Sequence, residues 1–200
     1  RSVTSSKDKD RIIGMRKGLT KYGDDEFALF LRKSFIKGAG YGDEALSRPV
    51  VGIINTGSDF NPCHGNAEEL IERVKAGVEA SGALPMAFPT ISLHESFSFP
   101  TSMYLRNLMA MDTEEMLRAL PLDSVVLIGG CDKTVPAQIM GALSADIPFV
   151  QLVTGPMRTG SFRGQRVGAC TDCRRLWAEY RAGNLDDEAI ADANNALVPS

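Results

Sequence analysis

No stretch of this 200-residue chain reaches the ~18 consecutive apolar residues that a membrane span needs, so no transmembrane helix is expected. Residues 1–11 are charged and lead into no apolar segment of secretory-signal length. An excess of charge of one sign is missing too. Lys and Arg total 22 against 25 Asp and Glu, and the net charge of −3 gives no electrostatic reason to expect nucleic acid or an acidic membrane surface as partner. Cysteine is scarce: four residues do not make a disulfide scaffold, and a reducing cytosol is the expected setting. Histidine is scarcer, with only His64 and His94 available as imidazole ligands, which argues against a zinc site. There is no GxxxxGK[ST] and no GxGxxG after a strand, so nucleotide binding has no support. The glycines and prolines follow no fixed period, which excludes a collagen-like chain, and no internal repeat or low-complexity tract is visible.

What is present is an ordinary globular composition. At 44% hydrophobic the chain can form one domain, with or without a small appendage, and bury roughly 70% of its unfolded surface. Residues 1–10 are polar and expected to fray. Phe27, Leu29, Phe30, Leu31 and Phe35 predict a helix over 24–36 with a broad apolar face, stopped by Gly38, Ala39 and Gly40. Residues 1–48 read as a partly helical arm that packs on something else, and 49–200 as the main domain. From Pro49 the pattern changes to a short continuous apolar run ending at Asn55, as in a strand covered on both faces. Asn66 and Glu69 form a possible capping box for a helix carrying Leu70, Ile71, Val74 and Val78 and ending near Gly82. Further strands are expected over 85–93, 124–128 and 148–153, with helices over 101–120 and 137–143. Residues 186–196 are also helix-compatible. This alternation predicts an α/β, three-layer parallel sheet preceded by the helical arm. After Gly155 the alternation weakens.

In such sheets ligands gather beyond the carboxyl ends of the strands, which singles out the loops 56–65, 94–100 and 129–136. The first holds Asn61-Pro62-Cys63-His64 and the third Gly129-Gly130-Cys131-Asp132-Lys133-Thr134. Two thiols 68 residues apart therefore stand on equivalent loops, either as small buried hydrophobes or as paired sulfur donors. The second loop holds His94-Glu95-Ser96. Glu95 and Asp132, expected on neighbouring strand ends, suit a hard cation such as Mg²⁺, or else are helix caps or solvated acids. Lys133 is either a solvated cation or a buried amine with a depressed pKa, able to form a carbamate with CO₂. Cys170-Thr171-Asp172-Cys173 has redox spacing but is not expected to open a helix after a buried strand, which weakens a thioredoxin-like reading. Arg106, Arg158, Arg163, Arg174 and Arg175 are candidates for substrate carboxylate contacts or subunit interfaces, with solvated surface the alternative.

The Asn-Pro-Cys-His segment, the run Gly129-Gly130-Cys131-Asp132-Lys133-Thr134-Val135-Pro136 and the helix after it resemble the dihydroxy-acid/sugar-acid dehydratase family. The resemblance runs from about Gly14 to the end. It implies an iron–sulfur cluster, [2Fe-2S] in preference to [4Fe-4S], held by Cys63, Cys131 and a third Cys expected just past Ser200. It also implies Mg²⁺ on Glu95, Asp132 and Lys133, the lysine being carbamylated in the aldonate branch. His94-Glu95-Ser96-Phe97 and Ala169-Cys170-Thr171-Asp172-Cys173-Arg174 look like the sugar-acid branch. The implied protein is a cytoplasmic hydro-lyase, a homodimer or homotetramer, acting on a small sugar acid. A dihydroxy-acid or phosphogluconate dehydratase is the alternative within the family, and a non-catalytic binding or assembly module the alternative outside it. Family enzymes are much longer, with a serine base on a second, β-barrel domain, so the chain resembles their N-terminal portion.

Overall fold

The computed structural model describes residues 12–19 and 23–198; the fraying expected of 1–10 lies outside them. Two compact units follow one another, one ending at Thr154 and one beginning at Gly155.

The first unit is built on four parallel strands, β1 (Val50–Asn55), β2 (Leu84–Pro89), β3 (Ser124–Gly129) and β4 (Phe149–Val153), in the order β2-β1-β3-β4. Three helices, α2 (Ala67–Ala80), α3 (Ser102–Ala119) and α4 (Cys131–Ala145), connect them, and α1 (Asp25–Gly38) precedes them. Alternate residues of the central strands enter different cores. Val50, Ile54, Val125 and Leu127 pack with Leu117 of α3 and Ala142 of α4. Ile53 and Ile128 pack with Ala67 and Ile71 of α2. Helices therefore cover both faces, which is why β1 reads as an unbroken apolar run. Ile53, Ile54, Leu127 and Ile128 are wholly buried, worth about 1.5–3 kcal/mol each. The chain leaves β1 toward β2 and later adds β3 and β4 on the other side, so the strand order reverses between β1 and β3. That reversal opens a crevice beyond the carboxyl ends of these two strands.

Several elements depart from the sequence expectations. The second strand ends at Pro89 rather than at 93, and residues 90–101 become a connection containing a 3-10 turn, Glu95–Phe97. The fourth helix begins at Cys131, not at 137, and runs through Pro136. Asn66 does not cap α2: its amide donates instead to the Thr154 carbonyl at 2.9 Å, tying α2 to the end of β4. The arm packs on this same unit, with Met15, Ile36, Ala45 and Leu46 inside the larger core. Asp123 accepts from the Gly14 and Val50 amides and pairs with Lys17 at 2.8 Å, fastening the arm beside the start of β1. The apolar face predicted for α1 is only partly used, since Ile36 is buried while Phe27, Phe30 and Phe35 remain exposed.

The second unit pairs a hairpin, β5 (Gly160–Phe162) with β6 (Gln165–Val167), and two helices, α5 (Ala169–Arg181) and α6 (Asp187–Leu197). Arg163 and Gly164 both have positive φ, the twist a two-residue hairpin turn requires. Val167, Leu176 and Ala193 form its core. Cys170 falls in the first turn of α5 and Cys173 at the start of the second, soon after β6, which corrects the expectation that they would not open a helix. The strand before them is half of a short hairpin, not a buried sheet strand.

Candidate functional site

The loop after β1 and the elbow after β3 meet at the crevice. Residues Pro62–His64 form a 3-10 turn that places Cys63 half-buried, and Cys131 stands exposed at the first position of α4. The two loops are joined by backbone-directed hydrogen bonds. His64 Nε2 lies 2.7 Å from the Gly130 amide, and His64 Nδ1 lies 2.9 Å from the Thr56 carbonyl. Thr154, at the end of β4, donates its hydroxyl to the Cys63 carbonyl at 2.8 Å. The residues flanking both thiols are thus stitched together, and the expectation that the Cys63 and Cys131 loops share one rim of the sheet is met.

Cys131 has φ +66°, a left-handed conformation that costs a side-chain-bearing residue roughly 1–2 kcal/mol. The elbow turns the chain sharply from strand to helix with no room to spare. A Cβ on Gly129 would stand 2.6 Å from Gln138, and one on Gly130 would stand 2.2 Å from the Thr154 hydroxyl. The Gly-Gly pair is therefore needed for close approach of the backbone to its neighbours.

Glu95 and Asp132 do not lie on neighbouring strand ends, because β1 separates β2 from β3. The early end of β2 compensates. Residues 90–101 cross the end of β1, held by Asn61 Nδ2 donating to Ser92 Oγ and the Leu93 carbonyl, and by Ser92 Oγ donating to the Thr56 carbonyl. Glu95 is thereby delivered to the start of α4. Lys133 Nζ lies 2.9 Å from Asp132 Oδ2 and 3.9 Å from Glu95 Oε2, between the two acids. Glu95 also caps α3: it accepts from the Ser102 amide at 2.9 Å, from the Ser102 hydroxyl and from the Thr101 hydroxyl. Those bonds, with Lys133 adding, hold its carboxyl below the ordinary range.

The Lys133 pKa is raised, not depressed. Its hydrogen bond to Asp132 is the largest cause, with the charges of Asp132, Glu95 and Cys131 adding to it. The desolvated neutral amine is therefore not what this structure contains. An ammonium sits where two carboxylates converge, the electrostatic place of a cation. The donor types fit the two kinds of centre that the family resemblance implies: thiols for a soft one, carboxylates for a hard one. Among the described residues no three His, Cys, Asp or Glu side chains come together to hold a metal ion. Thr134, fully buried one residue beyond Lys133, has a hydroxyl without a hydrogen-bond partner.

Other expected residues fall elsewhere. Arg158, Arg163, Arg174 and Arg175 are exposed and belong to the second unit; Arg163 lies over the Phe162 ring and Arg175 pairs with Asp172. Arg106 is a half-buried residue of α3. A cleft of about 400 Å³ lies at the opposite end of the sheet, between Leu117, Leu122 and Pro148, and contains none of the candidate residues. Sequence reasoning missed the stitching residues, Thr154 above all, because no local pattern marks a threonine that ends a strand. It also missed Phe60 and Phe97, exposed at the rim and packed edge to face at 5.9 Å, although each lies within three residues of a candidate ligand.

The first unit is thus a doubly wound α/β sheet with two cysteine-bearing loops and a carboxylate–lysine cluster at its switch point. Residues 48–200 match the N-terminal domain of the dihydroxy-acid/6-phosphogluconate dehydratases, and the chain belongs to that family. It is 43% identical over 158 residues to a 6-deoxy-6-sulfo-D-gluconate dehydratase of Pseudomonas putida, which covers 79% of this chain and 27% of the relative. An L-arabinonate dehydratase of Rhizobium leguminosarum is 40% identical over 180 residues, 90% of this chain and 31% of the relative. A dihydroxy-acid dehydratase of Clostridium botulinum is 32% identical over 174 residues, 84% of this chain and 31% of the relative. The chain thus spans less than a third of the length of these relatives. Among the described residues no helix is long and apolar enough to cross a membrane.

Proposed function

We propose that this chain is the cluster- and metal-binding domain of a hydro-lyase that dehydrates a sugar acid, an aldonate, to a 2-keto-3-deoxy acid. The observation that carries the proposal is the convergence of the Cys63 loop, the Cys131 elbow and the Glu95–Lys133–Asp132 cluster on one crevice. The names of relatives that dehydrate sulfogluconate and arabinonate support the sugar-acid class.

The reaction removes a weakly acidic C2 proton and expels hydroxide, a poor leaving group, from C3. When bound, an iron–sulfur cluster supplies a Lewis acid for the leaving oxygen, and Mg²⁺ neutralises charge developing on the substrate carboxylate and C2 oxygen. Cys63 and Cys131 are the proposed cluster ligands contributed by this chain, and Glu95, Asp132 and Lys133 the proposed oxygen and lysine ligands for Mg²⁺. Carbamylation of Lys133 would require its ammonium to lose a proton first, which the charges of Asp132 and Glu95 oppose. The base that takes the C2 proton is proposed to be supplied by another part of the enzyme.

Iron and sulfide analysis, visible absorption and turnover of the anaerobically purified full-length protein test this reading. A coloured protein that dehydrates L-arabinonate or D-xylonate faster than dihydroxyisovalerate or 6-phosphogluconate, and loses colour and activity in Cys63→Ser, is the expected result. Preference for dihydroxyisovalerate or 6-phosphogluconate moves the assignment to the corresponding branch of the family. A colourless protein with Cys63→Ser as active as wild type overturns it.

A further inference from the structure

His64 follows Cys63 directly, yet its side chain is only 1% exposed and faces the protein interior. Its ring stands between two backbone groups of fixed character. The Thr56 carbonyl, 2.9 Å from Nδ1, can only accept; the Gly130 amide, 2.7 Å from Nε2, can only donate. Together they select the tautomer with hydrogen on Nδ1 and a lone pair on Nε2. The Gly130 carbonyl, 3.2 Å from Nε2, is then a contact without a hydrogen. Asn61 Nδ2 stands 3.1 Å from Nδ1 and spends its hydrogens on Ser92 and Leu93, bracing the ring edge from the crossing loop.

The positions of these partners give the histidine its meaning. Gly130 immediately precedes Cys131 and His64 immediately follows Cys63, so one imidazole spans from the neighbour of one thiol to the neighbour of the other across 66 residues of sequence. Thr154 closes the same circuit, donating to the Cys63 carbonyl while leaving no room for a Cβ on Gly130. A rigid ring with a donor on one edge and an acceptor on the other is supplied by no other side chain; Asn and Gln carry both functions on one flexible end.

We infer that His64 is a positioning residue: buried and engaged by backbone partners at both ring nitrogens, it bolts the Cys63 loop to the Cys131 elbow and sets the separation of the two thiols. The consequence for a cluster rests on the dehydratase reading above; the spacing itself does not.

Cross-linking of the metal-free full-length protein with dibromobimane, a short reagent that bridges two nearby thiols, separates the two. Yield is read by mass spectrometry of the peptide pair carrying Cys63 and Cys131. Wild type is expected to bridge this pair readily. His64→Asn, which keeps a donor near Nδ1 but has no reach to Gly130, is expected to bridge it about tenfold more slowly, because a loosened spacing lowers the effective concentration of one thiol at the other. His64→Gln, long enough to offer Gly130 an acceptor, is expected to recover part of the rate. Alkylation of each thiol alone, measured with a monofunctional reagent, should stay within about twofold of wild type, which a general loosening of the fold would not allow. After reconstitution, His64→Asn should show an altered visible circular dichroism band and faster iron loss. Failure of the wild type to bridge Cys63 and Cys131, or equal rates in wild type and His64→Asn, overturns the inference. If the rates follow the expectation while wild type takes up no iron and sulfide, the spacing role stands and the cluster reading falls.

Discussion

Gly130 and Cys131 show how tightly single positions constrain this rim. Gly130→Ala would push a methyl group to 2.2 Å from Thr154 Oγ, whose short β-branched side chain is already held by the Cys63 carbonyl. Thermal or urea unfolding should show a loss of about 1–3 kcal/mol, the usual cost of overpacking, and Cys63 should become more reactive toward alkylating reagents as its loop lifts. Cys131 carries the opposite tension, since its φ of +66° suits glycine. Cys131→Gly is expected to be more stable than Cys131→Ala by about 1 kcal/mol, a difference measurable by urea denaturation. The thiols themselves were legible in the sequence because each follows an apolar strand. The bolt between them was not. Nothing near His64 in the chain announces that its partner is the amide of Gly130, 66 residues away.

Helix boundaries taught a similar lesson. The sequence placed the start of α4 after Pro136, since proline disfavours a helix interior. The helix nevertheless begins at Cys131, where Gly130 leaves the strand in an extended conformation and Thr134, Ala137, Gln138, Gly141 and Ala142 bury one face. Tertiary packing outweighed a local preference. It also carried Asp132 and Lys133 onto the first turn of a helix, a more rigid platform than the loop expected for them. At the start of α5, Asp172 reaches back to accept from the Gly168 amide and then pairs with Arg175. These partners lower its pKa, the backbone bond first. A carboxyl whose folded pKa lies below its unfolded one contributes stability that is fully present above the unfolded value and is lost as pH falls through the folded one. Asp172→Asn should therefore unfold at a lower temperature than wild type at neutral pH. The gap should close below about pH 3.8, the ordinary value for this group. A gap that stays open in acid would mean the carboxylate is not the source.

The first unit gathers its candidate donors at one end of its sheet and fastens the arm at the other, through Asp123, Lys17 and the Gly14 and Val50 amides. If the carboxylate pair takes a hard cation, Mg²⁺ should raise the Tm of the full-length protein with the logarithm of its concentration once that is above its Kd, and chelation should reverse the rise. Asp132→Asn is the informative control, because the Asp132 side chain is 76% exposed and, among the described residues, its ion pair is with Lys133. The variant should keep the Tm of metal-free wild type and lose most of the response. An equal Mg²⁺ response in both proteins would remove Asp132 from the ligand set.

Alternating apolar runs, glycine-bearing loops and helical segments between strands were enough to define a parallel α/β sheet and to single out the loops at its carboxyl edge, because strand and helix periodicities are local properties of the chain. Packing settled the rest. The reversal of strand order between β1 and β3 opened the crevice, and the early end of β2 sent residues 90–101 across β1 with Glu95. His64 and Thr154 then locked the two cysteine loops together. Each of these depends on contacts between residues distant in sequence, whose energies exist only once the layers have come together.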